Sequence, residues 1–264
     1  PALFAIEYSL AKLFEEWGIA PDLLLGHSIG EYAAACVAGV FTLEDAVRMV
    51  AARGRLMQSL PMGGRMISVV IDEVSAKAAI AEFPTVSIAA VNAPQSIVLS
   101  GEGQAIDTIV GRLDSQGIKT TELSVSHAFH SPLMEPILND FRIIAESVDF
   151  SPPNITLLSN VTGKPWNDTQ LSADYWVEHL RATVRFAAAI DYAKFKKFEV
   201  FVEIGPKPTL LGLGRNCVPP EFGTWLPSLK PNSEWSTLLD CLRQLYVIGS
   251  DINWEKIFTL SKLK

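Results

Sequence analysis

Cysteine is scarce in this sequence. The 264 residues hold three, Cys36, Cys217 and Cys241, an odd and scattered set that excludes a disulfide framework and fits reduced, mostly structural thiols in a cytoplasmic protein. No apolar run approaches the length of roughly 18 residues that a membrane span needs, and no charged segment precedes an apolar one at the start as in a secretory leader. Basic residues are in the minority: 22 Lys and Arg against 29 Asp and Glu give a net charge of −7. That balance argues against a nucleic-acid surface and supplies no polybasic membrane patch. Charged residues make up only 19% and hydrophobic ones 48%, so the chain can bury a full core. Internal repeats and low-complexity stretches are absent. Asn160-Val161-Thr162 and Asn167-Asp168-Thr169 match the glycosylation acceptor pattern, but without a secretory signal they are expected to be plain turns.

What the sequence does contain is centred on residues 22–39. A short apolar run, Leu23, Leu24 and Leu25, meets Gly26-His27-Ser28-Ile29-Gly30 and then an alanine-rich segment. This reads as strand, sharp turn and helix with a serine at the apex, the G-x-S-x-G nucleophile elbow. Gly26 and Gly30 lack Cβ atoms, which allows the turn and the close approach of helix to strand. The helix N-terminus presents free N–H groups to negative charge that develops there. The bare pattern also fits an ordinary strand-to-helix turn, and the flanking strand and small-residue helix favour the elbow.

Along the chain, an amphipathic helix with Leu3, Ile6, Leu10, Leu13, Phe14 and Trp17 precedes the elbow strand. An open α/β sheet usually has earlier strands beside such a strand, so the chain is expected to begin inside a domain. Thr42-Leu43-Glu44-Asp45 resembles a capping box opening a helix to about residue 59. From residue 66 the pattern predicts strand 66–71, helix 74–82, strands 86–92 and 97–100, helix 104–116 and strand 118–123. That order, β-α-β-β-α-β, is the ferredoxin-like split unit. Beyond it come helix 133–148, strand 155–159, helices near 173–181 and 187–195, and strand 200–204. The amphipathic segment carrying Trp235, Leu238, Leu239, Leu242 and Leu245 reads as a packing segment or linker without chemistry. The predicted architecture is therefore α/β: a large subdomain over 1–63 and 128–226, a ferredoxin-like subdomain over 64–127, and a linker over 227–264.

Ser28 needs a base, and histidine has the suitable pKa near neutrality. Of the four histidines, His27 adjoins the serine and is expected to point away from it, and His179 falls within a helix where a structural role is the ordinary one. His127 and His130 share a loop leaving the inserted subdomain, and the residues alone leave both open. Arg53 and Arg55 are candidates for carboxylate or phosphate recognition, with a solvated helix face as the alternative.

Taken together, Gly26-His27-Ser28-Ile29-Gly30-Glu31-Tyr32, Arg53-Gly54-Arg55-Leu56-Met57-Gln58, Asn92-Ala93-Pro94, His127-Ala128-Phe129-His130-Ser131 and Glu203-Ile204-Gly205-Pro206 resemble the acyltransferase domain of modular polyketide synthases. They also resemble the related malonyl-CoA:acyl carrier protein transacylase of fatty-acid synthesis. Pro227-Ser228-Leu229, Trp235 and Asp251-Ile252-Asn253-Trp254 are similar to the linker after such a domain in a multidomain synthase.

The resemblance implies an α/β-hydrolase-like large subdomain with the ferredoxin-like insertion. It makes Ser28 the acylated nucleophile, His130 its base, the main chain of His179 the group that orients His130, and the Ile29 N–H an oxyanion donor. Arg53, and not Arg55, would pair with the free carboxylate of a malonyl group, and His27, Asn92 and Phe129 would line the substrate site. Phe129 in His-Ala-Phe-His matches the malonyl-selective form. The substrate implied is malonyl-CoA and the acceptor the phosphopantetheine thiol of an acyl carrier protein, with neighbouring synthase domains as partners and no metal or bound cofactor. That family starts with a strand ending in Gly-Gln-Gly whose glutamine region completes the oxyanion hole. The segment is not in this sequence, so the chain is expected to be a partial one, short of one oxyanion donor and a central strand. Two other readings use the same elbow: a serine hydrolase or thioesterase with water as acceptor, and a non-catalytic module that docks a carrier protein.

Overall fold

The computed structural model of the chain describes residues 1–261. Helix α1 (Ala2–Glu16) buries Phe4, Leu10 and Phe14, and Gly18, at φ +85°, turns the chain toward β1 (Leu23–Leu25). The elbow leads into α2 (Ile29–Val37), whose Tyr32 and Ala35 are fully buried. In α3 (Leu43–Gln58) the Thr42 hydroxyl accepts the Asp45 N–H at 3.1 Å, the helix start that the Thr-x-x-Asp spacing predicts.

The inserted unit is built from β2 (Gly64–Val69), α4 (Glu73–Ile80), β3 (Val86–Ala93), β4 (Ser96–Glu102), α5 (Gly103–Ser115) and β5 (Thr120–Glu122). Its antiparallel sheet has the order β3-β4-β2-β5, the ferredoxin-like arrangement. Side chains alternate across a strand, and here both faces are covered. Ile67, Val69, Ile97 and Leu99 meet Ala76 of α4 and Ile106, Ile109 and Leu113 of α5. On the other face Met66, Ala90 and Val98 lie in a second core, shared with elements that follow in the chain.

The returning chain forms a 3₁₀ turn (Pro132–Ile137) and then α6 (Leu138–Ala145). The single helix predicted over 133–148 is split because Pro136 has no N–H to give an α-helical ladder. After it come β6 (Thr156–Leu158), α7 (Ala173–Arg181), α8 (Phe186–Phe195), β7 (Val200–Glu203), α9 (Leu210–Arg215), β8 (Thr224–Pro227), α10 (Glu234–Val247) and α11 (Trp254–Ser261). β6 runs parallel to β1, with Leu23 opposite Thr156 and Leu25 opposite Leu158. β7 pairs in parallel with β8, a strand that the sequence pattern did not announce. Each of these pairs is two-stranded among the described residues. Phe186 and Ile190 of α8, Leu211 of α9 and Trp225 of β8 complete the core behind the inserted sheet.

The tail is more than a linker. Leu238, Cys241, Leu242 and Leu245 of α10 are buried in one cluster with Leu10, Phe14 and Trp17, so α10 shares a core with the end of α1. The last part of the expected linker, 262–264, lies outside the described residues.

Candidate active site

The site is assembled at the elbow. The β1 ladder ends at Leu25, and the chain reverses into α2 with Ser28 at φ 51° and ψ −114°, a sparsely populated conformation of the kind found at functional sites. Gly26 is required here: a Cβ on it would lie 2.1 Å from the Glu31 nitrogen and 2.3 Å from the Gly30 carbonyl carbon. Gly30 is under no such constraint, since a Cβ there meets only the Glu7 carboxylate, at 3.7 Å.

His130 reaches Ser28 from the loop after the inserted unit. Its Nε2 lies 2.8 Å from Ser28 Oγ, and its Nδ1 lies 2.9 Å from the Ala182 carbonyl oxygen. A carbonyl only accepts, so Nδ1 carries the proton and Nε2 is left as the acceptor for the serine hydroxyl. Burial, then the nearby His179, Arg53 and His27, hold the imidazole pKa well below its usual value of 6.5, which keeps the ring neutral and basic in function at neutral pH. His130 also has a positive φ, 56°, fixed by the Ser87 hydroxyl donating to its carbonyl at 2.8 Å.

The inserted unit holds the other end of this arrangement. Val184 N–H donates to Ala89 O at 2.9 Å, Val91 N–H to Val184 O at 2.9 Å, and the Thr183 hydroxyl to Ile88 O at 2.6 Å. These bonds pin the segment after α7 against β3 and set the Ala182 carbonyl. The acceptor that orients His130 is therefore Ala182 and not His179, which corrects the expectation from sequence by three residues. His179 ends up in the core, 1% exposed among Tyr32, Tyr175 and Trp176. Its Nε2 is 3.0 Å from Glu31 Oε2 but off the line of a hydrogen bond.

Arg53, on α3, donates from Nη2 to Ser28 Oγ at 3.1 Å, and its guanidinium lies 5.8 Å from the Tyr32 ring centroid. The side chain is half-buried, its Nε is buried without an acceptor, and desolvation lowers its pKa from the usual arginine range. Among the described residues it forms no ion pair, whereas Arg55 is exposed. His27 Nε2 is bonded to Asn92 Oδ1 at 2.8 Å and its ring packs against Phe186. Burial chiefly lowers the His27 pKa, opposed by that bond to Asn92. Phe129 packs between the large core and the core behind the inserted sheet. Ile29 opens α2, where first-turn N–H groups lack helical acceptors; the next two N–H groups, of Gly30 and Glu31, go to His27 and Ser28 carbonyls.

His127 is separated from this chemistry. It is buried, with Nε2 3.1 Å from the Leu60 carbonyl oxygen and Nδ1 3.0 Å from the Ser126 hydroxyl. Among the described residues no group of His, Cys, Asp and Glu could hold a metal ion, and no helix is long and apolar enough to cross a membrane.

Comparison with known proteins bears on the chain as a whole. Residues 1–252 match the Acyl transferase domain family. The chain belongs to that family. Mycoketide-CoA synthase of Mycobacterium tuberculosis is 42% identical over 258 residues, covering 97% of this chain and 6% of the relative. Polyketide synthase GfsA of Streptomyces halstedii is 46% identical over 220 residues, 83% of this chain and 3% of the relative. The acyltransferase domain from the second module of the salinomycin polyketide synthase superposes with a TM-score of 0.94 at 46% identity, over 98% of this chain and 61% of that one. The chain thus spans a small fraction of these multidomain synthases, and its α/β-hydrolase-like body with a ferredoxin-like insertion is that of polyketide synthase acyltransferase domains.

Two residues of this acyl transferase domain escaped sequence reasoning. Glu31 is fully buried beneath the elbow, its carboxylate accepting from Trp166 Nε1 at 3.0 Å, Asn160 N–H at 3.0 Å and the Tyr175 hydroxyl. Asn160 lies in the expected turn, closed by the Gly163 N–H donating to Ser159 O at 2.8 Å, but it is 1% exposed and its side chain bonds the elbow itself. The signal available for Glu31 was a lone acidic residue in an otherwise apolar helix; Asn160 carried none.

Proposed function

We propose that this domain moves a malonyl group from malonyl-CoA, through an ester on Ser28, to the phosphopantetheine thiol of an acyl carrier protein within a polyketide synthase. The observation that carries this reading is Arg53: a half-buried cation without an ion-pair partner among the described residues, its Nε buried without an acceptor and its Nη2 3.1 Å from Ser28 Oγ. A free carboxylate on the acyl group completes it with two charge-assisted hydrogen bonds. A plain ester or acyl chain has no use for it, so a dicarboxylic half-thioester is preferred over a hydrolase substrate.

In the first half-reaction Ser28 Oγ attacks the thioester carbon while its proton passes to His130 Nε2, 2.8 Å away. The tetrahedral oxyanion is met by the Ile29 N–H at the start of α2. Collapse breaks the C–S bond, and coenzyme A leaves with the proton from His130. In the second half-reaction the carrier thiol gives its proton to His130 and attacks the malonyl-serine ester, and Ser28 takes the proton back. Phe129 occupies the volume that an α-methyl substituent on the acyl group needs. Such a methyl discrimination is worth about 1–3 kcal/mol, a preference over methylmalonyl and not an absolute bar.

The test is a two-step transfer: the domain is charged with malonyl-CoA, freed of the donor, and mixed with a phosphopantetheinylated carrier protein. The expected result is malonyl moving from the domain to the carrier faster than to water. Loss of the acyl group to water alone would favour the hydrolase reading, and carrier binding without acylation of Ser28 the docking module.

A further inference from the structure

We propose that Asn160 is a positioning residue for the nucleophile, acting through the backbone groups on either side of His27, the Gly26 carbonyl and the Ser28 N–H. The inference rests on Ser28 being the reactive serine. β1 and β6 pair in register only as far as Leu25 and Leu158. Past that point the chain reverses, and the elbow's polar backbone groups have no strand partner to continue the ladder. The Asn160 carboxamide replaces the strand. Its Oδ1 accepts the Ser28 N–H at 2.6 Å and its Nδ2 donates to the Gly26 carbonyl at 2.8 Å.

The carboxamide is itself immobilised. The Asn160 N–H donates to Glu31 Oε2 at 3.0 Å and its carbonyl accepts the Arg185 N–H at 2.7 Å. Glu31 sits three residues beyond Ser28 on α2 and is tied to Trp166 and Tyr175. Elbow, helix and β6 exit therefore close into one ring of buried hydrogen bonds around the strained serine. A positive φ at a non-glycine residue persists only where its surroundings over-determine it, and this ring is that determinant.

The chemical consequence is specific. With its N–H held by Asn160, Ser28 cannot turn that group toward the reacting carbonyl, and the Ile29 N–H is left to meet the oxyanion. The same bond fixes Oγ relative to His130 Nε2. Only a carboxamide of this length supplies an acceptor and a donor to both groups at once; aspartate keeps the acceptor alone, and alanine removes both.

The experiment compares the wild-type chain with Asn160→Asp and Asn160→Ala. The probe is a fluorophosphonate, which forms a P–O bond to an activated serine as fluoride leaves and the hydroxyl proton passes to histidine. The readouts are the inactivation rate constant, its half-saturating concentration and its pH profile, at temperatures where circular dichroism shows each variant folded. Both variants are expected to lose about ten- to a hundredfold in rate constant, the effect of buried elbow groups left unpaired, with half-saturation unchanged. In Asn160→Asp the acid limb moves to higher pH. A new carboxylate beside the pair favours protonated His130, whose other charged or titratable neighbours are Arg53 of α3, His27 of the elbow and His179 of α7. Asn160→Ala brings no charge, so it loses rate without moving the limb, and it carries the test should the aspartate variant not fold. Variants that melt earlier yet phosphonylate at the wild-type rate with the wild-type profile would overturn the proposal. A wild-type chain that takes up the fluorophosphonate but no acyl group from any coenzyme A ester would refute the transferase reading and leave this one standing.

Discussion

Replacing Arg53 with alanine separates recognition from chemistry. The side chain is half-buried, its Nε is buried without an acceptor, and its Nη2 donates to Ser28 Oγ at 3.1 Å. A malonyl carboxylate bound there forms an enclosed ion pair, and truncating one partner of such a pair costs about 2–5 kcal/mol. At 1.4 kcal/mol per tenfold, kcat/KM for malonyl-CoA should fall by roughly 30- to several-thousandfold. Acetyl-CoA has no carboxylate, so the same substitution removes only the bond to Oγ, about 0.5–1.5 kcal/mol, roughly tenfold at most. The donor preference thus shifts strongly toward acetyl. The free domain also loses a desolvated, unpaired cation, so its melting temperature should hold or rise. The assay is the single-turnover rate of Ser28 acylation with each donor, alongside thermal melts of both proteins. Equal losses with the two donors, or a clear fall in melting temperature, would refute the reasoning.

Three further outcomes follow from the same geometry. The folded-state pKa of His130 is depressed, so at pH between that value and 6.5 the unfolded chain binds the extra proton: acylation should stay on its plateau below pH 6.5, and stability should fall as pH drops through 6.5. A pH–rate profile and denaturation midpoints check both. His127→Gln should lose about 1–3 kcal/mol of stability by breaking the buried bonds to Leu60 and Ser126 while keeping its acylation rate, and His130→Ala should lose about 10²–10⁴ in rate; urea unfolding and single-turnover acylation distinguish them. Glu7 has its carboxyl pushed up to about 7, first by burial and then by Glu203. Its folded-state pKa lies above the unfolded 4.5, so its cost is absent at low pH, grows as pH rises from 4.5 to about 7 and is full above that. Glu7→Gln should then stabilise by up to about 3 kcal/mol at pH 8 and by little at pH 4, measured by denaturant unfolding at the two values.

The inserted subdomain was legible because its alternation of short apolar strands and amphipathic helices is a local signal, with Ile67, Val69, Ile97 and Leu99 lining one face. The elbow was legible for the same reason, since Gly26 and Ser28 sit two residues apart. β8 was missed because four residues ending in Pro227 carry almost no periodicity, and the split at Pro136 was hidden inside an otherwise helical pattern. The site's remaining parts act through groups that sequence does not mark. Ala182 serves by a carbonyl oxygen that every residue possesses, placed by pairing of Thr183 and Val184 with β3. Asn160 bonds a residue 132 positions away, and its local pattern announced only a plain turn. Only the fold brings Asn160 beneath Ser28 and makes the lone acid of α2 its anchor.

The central claim is that Ser28, activated by His130, carries a malonyl group. Its most direct test is the intact mass of the chain after brief exposure to malonyl-CoA, with Ser28→Ala treated in parallel. The account predicts one malonyl adduct on the wild type and none on the variant. An adduct of equal extent on both proteins, or none on a wild type shown to be folded, would contradict it.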